Sequence, residues 1–61
     1  MDSTEIVRLK ALGDQIRNIK TSAEELKRQA EGIQAAECNA DRILASVRML
    51  EINFSDLLEV L

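Results

Sequence analysis

The feature that most constrains the fold is a pair of apolar heptad runs that do not share a phase. Leu9, Leu12, Ile16, Ile19, Ala23, Leu26, Ala30 and Ile33 follow one another at alternating steps of three and four, and every position in the run is apolar. That spacing is the heptad of a left-handed coiled coil. A second run, Ala36, Ala40, Ile43, Val47, Leu50, Phe54, Leu57 and Leu61, keeps the same rhythm and is again apolar throughout. Extending the first frame past Ile33 would instead put Glu37 and Glu51 into the seam. The join holds a step of three where the repeat demands four, which is either a stammer in one continuous helix or a turn between two helices.

Local chemistry favours the turn. Gly32 can end a helix in the left-handed conformation, and Asn39 can cap the next one. The expected division is a first helix over residues 4–31, a connection over 32–39 and a second helix over 40–61, all in one helical domain. The first helix starts near Ser3 or Thr4, where an oxygen-bearing cap precedes Glu5 at the positive end of the macrodipole. Thr21 with Glu24 and Ser22 with Glu25 match a capping box, but the heptad crosses them without losing phase, so they read as helix interior. Gly13 costs its helix up to about 1 kcal/mol relative to alanine and marks either close helix packing or a tolerated glycine. The expected fold is therefore all-α: an antiparallel helical hairpin with coiled-coil-like heptads, dimerising into a four-helix bundle. A single long coiled-coil helix is the alternative.

Dimerisation enters because the core is small. Chains shorter than roughly 70–80 residues rarely draw more than about 3–5 kcal/mol from one core without a staple. A lone cysteine, Cys38, rules out an internal disulfide, and with no histidine there is no usual zinc set. The remaining source of burial is another chain. Composition agrees with long helices: 46% hydrophobic and 31% charged, with Phe54 the one aromatic and no proline.

The formal net charge of −3 provides no field to draw in phosphates or an anionic membrane surface. Residues 1–31 balance six basic against six acidic groups, so the deficit lies in residues 32–61. Lys10, Arg17, Lys20 and Arg28 could form a phosphate-contacting side. They alternate with acids at helical neighbours, Lys10 with Asp14, Lys20 with Glu24, Glu24 with Arg28 and Lys27 with Glu31, which is the pattern of a solvated helix face. Nucleic acid is therefore an unlikely partner, and its usual stacking aromatics are missing. With no apolar stretch of about 18 residues and no signal-like N-terminus, the expected setting is cytoplasmic, with no membrane partner.

Catalysis has no visible machinery. Serine and cysteine lack a recognisable base, no glycine-rich phosphate loop occurs, and a narrow bundle has little room for carboxylates in a desolvated pocket. No enzyme activity, cofactor or metal is expected. Glu51 is the carboxylate closest to the seam, and it reads as a rim residue or a device that fixes the register.

What the sequence does carry is apolar surface. The expected oligomer core is Leu9, Leu12, Ile16, Ile19, Leu26, Ile33, Ile43, Val47 and Leu50. The second helix is apolar beyond its stripe: Leu44 and Leu58 widen it, while Cys38, Ala45, Met49, Ile52 and Val60 project to roughly the opposite side at 100° per residue. A lone hairpin cannot cover both sides. Phe54, Leu57, Leu58 and Leu61 also have the spacing of a helix that anchors in a groove, with acidic Asp56 and Glu59 beside them. Together with Met49 and Ile52 they form a candidate docking set for a larger protein. Cys38 reads as a small, partly buried hydrophobe; the alternative is a thiol that pairs across a symmetric dimer under oxidising conditions. The function expected is a protein–protein interaction module, homo-oligomerising or serving as a small accessory subunit. A small regulator or inhibitor that docks its second helix on a target, and a weak nucleic-acid-contacting bundle, are the alternatives.

Overall fold

The computed structural model describes residues 2–60, the Val60 side chain excepted, so Leu61 of the candidate docking set lies outside the described residues. Two α-helices, α1 (Ser3–Gln29) and α2 (Gln34–Val60), pack against each other as an antiparallel hairpin about 47 Å long. The single continuous helix is thereby excluded. The out-of-phase repeats come from two helices that each keep their own phase.

The cap of α1 lies one residue earlier than expected. The Asp2 carboxylate accepts the Glu5 N–H at 2.8 Å, which satisfies one of the four orphan donors of the first turn. The chain reverses over residues 30–33, where the Ala30 N–H still reaches the Leu26 carbonyl at 2.9 Å and the Ile33 N–H reaches the Ala30 carbonyl at 2.8 Å. Gly32 makes the reversal at φ 87°, in the left-handed region.

The connection is half the length expected for 32–39. Nothing between Gln34 and Cys38 breaks a helix, and the Glu37 carboxylate reaches back to the Gly32 N–H at 3.2 Å, so α2 begins directly after the glycine. Asn39 lies exposed inside α2 and caps nothing. A Cβ built on Gly32 meets nothing within 4 Å, so Gly32→Ala strains only the backbone. It should cost about 1 kcal/mol, and Gly32→Asn less, in urea unfolding midpoints.

The interior of the hairpin is made of small side chains. Among the described residues the buried apolar groups are Ala23, Ala30, Ala40 and Val47, and no large side chain is fully buried. Gly13 belongs to the same pattern, since a Cβ there would sit 3.2 Å from the Phe54 ring. It marks close packing, one of the two readings its position allowed.

Candidate interaction surface

The contact between the helices uses a different pair of positions from the one the heptad suggests. On α1 the residues shielded from solvent are Leu9, Gly13, Ile16, Lys20, Ala23 and Ala30; on α2 they are Ala36, Glu37, Ala40, Leu44, Val47, Glu51 and Phe54. The first member of each repeat is in the seam, but its companion is four residues on (Gly13, Lys20; Leu44, Glu51) and not three. Leu12, Ile19, Leu26, Ile33, Ile43, Leu50 and Leu57 are left between 40 and 60% exposed. Of the expected oligomer core, only Val47 is buried within the hairpin, with Leu9 and Ile16 partly covered.

The physical reason is width. A pair of helices buries one narrow strip on each, whereas a stripe that also includes the third heptad position is made for a second layer of helices. Because the hairpin is antiparallel, the positions three after the seam residues turn to the same side on both helices. Ile19, Leu26 and Ile43 accordingly line one shallow hollow with Asn18, Ser22 and Ala23. Continuing at sevens, this side carries Leu12 level with Leu57, Ile19 with Leu50 and Leu26 with Ile43.

The flanks of that face were not singled out in the sequence. Residues immediately preceding the seam positions turn to the same side: Gln15, Ser22 and Gln29 on α1, and Asn39, Ser46 and Asn53 on α2. None is charged. Along these positions ionised groups return at the open end, at Glu5 and Arg8, while Glu25 and Arg42 stand at the outer edge of the face. The signal was legible in principle, as a seven-residue repeat of small amides and hydroxyls.

The opposite side holds the charges and two ion pairs that cross between helices. Lys20 Nζ lies 3.3 Å from a Glu51 carboxylate oxygen, and Lys27 Nζ 2.8 Å from Asp41 Oδ1. Glu51 is thus a half-exposed rim residue that ties α2 to α1. The hydrogen bond and charge of Asp41 hold the Lys27 ammonium above its usual pKa, and Arg28, then Gln29, hold the Glu25 carboxylate below its own. Arg17 pairs with Asp14 at 3.2 Å, and Arg28 Nε donates to Glu25 at 3.0 Å. These partners replace the i,i+4 set expected from the sequence. Arg17, Lys20 and Arg28, three members of the proposed phosphate-contacting side, are each engaged by a carboxylate.

The candidate docking set is dispersed. Phe54 is half-buried against Gly13, Leu57 lies on the uncharged face, and Met49 is on a third side, beside Lys27, Asp41 and Arg48. Leu58 lines an open cavity of about 600 Å³ at the open end, with Ile6, Leu9 and Phe54 and a rim of Lys10, Asp14 and Arg17. Ile52 is exposed on α2, away from the uncharged face. No single groove on a partner would meet all of them. Cys38 is exposed, so it is not the partly buried hydrophobe expected. Among the described residues no group of three His, Cys, Asp or Glu side chains is placed to hold a metal, and no helix is long and apolar enough to cross a membrane. Compared with protein-family models, curated proteins and solved structures, the chain matches none.

Proposed function

We propose that this chain works by binding and not by catalysis, as a cytoplasmic helical interaction module that assembles with copies of itself, alone or as an accessory subunit of a larger assembly. One observation carries the reading: twelve large apolar side chains are exposed, while the buried apolar groups among the described residues are three alanines and a valine. Large contiguous apolar surface on a soluble chain marks an interaction site, and a core of the smallest apolar residues leaves most of the available burial to be gained by association. Bringing two such faces together would produce the stacked layers of a four-helix bundle, in which each helix also buries the residues three after its seam positions.

Self-association predicts that mass and helicity rise together with concentration. Light scattering should give about 13.6 kDa, twice the 6.8 kDa of one chain, where circular dichroism is fully helical. Dilution should lower both signals in step. A fully helical species that stays at 6.8 kDa at every concentration would overturn the proposal.

A further inference from the structure

We infer that the uncharged face is covered by the same face of a second copy, with the two hairpins head to tail and the Ile19/Leu50 layer at the two-fold axis. This rests on the self-association proposed above and specifies its geometry. The first argument concerns the kind of partner. From Leu12 to Asn53 the apolar positions of the face and the residues immediately preceding the seam hold no ionised group, so a partner that brought charges onto the middle of this face would find nothing to pair with there and would lose the hydration of its own charges. A surface equally free of charge carries no such cost, and the chain provides one itself.

The second argument is register. The three layers are spaced at sevens on both helices, and the middle one, Ile19 with Leu50, lies equally far from Leu12/Leu57 and Leu26/Ile43. A two-fold axis through that layer perpendicular to the helices maps the set onto itself, placing each Leu26/Ile43 layer on the partner's Leu12/Leu57 layer. A two-fold along the helices would match layers as well, so packing alone does not choose between them.

Charge chooses. The half of the hairpin toward the turn, residues 20–49, balances five basic against five acidic groups, so the whole net charge of −3 resides in the open half. Hairpins with their turns together would bring two such ends side by side, whereas head-to-tail packing sets each beside a neutral end. Like charges held within a Debye length, about 8 Å at physiological salt, repel.

Cys38 offers the test without mutation, because it is exposed, lies near the turn and is the chain's lone thiol. Spin labels on it should be about 40 Å apart in a head-to-tail dimer, from twelve residues of rise on either side of the axis plus the bundle width. Turns at the same end would give about 25 Å. A dimer at the shorter distance overturns the arrangement and leaves self-association standing; a helical monomer with no dipolar coupling overturns both. The face itself is tested by two neighbouring substitutions. Leu50→Lys should weaken the dimer at least about 100-fold, since it buries an unpaired charge at the axis, and Met49→Lys less than about 3-fold. Equal weakening by both would show that the face is wrong.

Discussion

A Val47→Asp variant should lose its helical circular dichroism at concentrations where the parent chain is fully helical. Val47 is 2% exposed, in the same seam as Ala23 and Ala40, and among the described residues no buried polar group stands ready to receive a carboxylate. Leaving a charge there, or protonating it to avoid one, costs about 3–5 kcal/mol, which is comparable to the whole stability of a small helical domain. Leu26→Asp isolates the other surface. The sequence alone assigns Leu26 and Val47 to one core, so both substitutions should then abolish fold and assembly together. Leu26 is 43% exposed on the uncharged face, where an aspartate in the lone hairpin stays hydrated. Leu26→Asp should therefore remove the higher-mass species first, leaving whatever helicity the hairpin holds by itself. A Val47→Asp protein that kept parent helicity and mass would show that the seam is misplaced.

That contrast marks how far the sequence could be read. The two helices and the turn at Gly32 follow from local signals: an apolar repeat that keeps phase, a phase slip, and a glycine where the slip occurs. The start of α2 was misplaced because Asn39 is a good cap in isolation, while the Ala- and Glu-containing stretch before it is an equally good helix. The Glu37 contact to the Gly32 N–H, which favours the longer helix, joins the first turn of α2 to the reversal itself. Leu12 and Gly13 show the harder limit. Both lie on the apolar side of α1, and hydrophobicity alone favours Leu12 for the seam. The structure puts Gly13 there because Phe54 of the other helix fills the space a side chain would take. Pairing across the hairpin also explains why two of the four i,i+4 ion pairs did not form: Lys20 and Lys27 find Glu51 and Asp41 on α2 and leave Glu24 and Glu31 to solvent.

The small residues of the seam set the closeness of the helices, so enlarging one should also be damaging, though less than charging it. Ala40 is fully buried, and the Lys27–Asp41 pair beside it puts it near the level of Ala30, close to the turn. At that end the helices are joined by only the residues 30–33, so they cannot separate to admit three more carbon atoms without straining the reversal at Gly32. Ala40→Leu should cost about 2–3 kcal/mol by overpacking. Ala45→Leu makes the same chemical change at an exposed site on the charged side, and should stay within about 0.5 kcal/mol of the parent. Urea midpoints of the two variants measure the difference directly. If Ala40→Leu were neutral or stabilising, the closed end would have room for a large side chain, and the alanines would then reflect helix propensity alone. A strongly destabilised Ala40→Leu beside an unaffected Ala45→Leu would mean that a tight inner seam sets the spacing of the helices and so aligns the larger apolar side chains on the uncharged face.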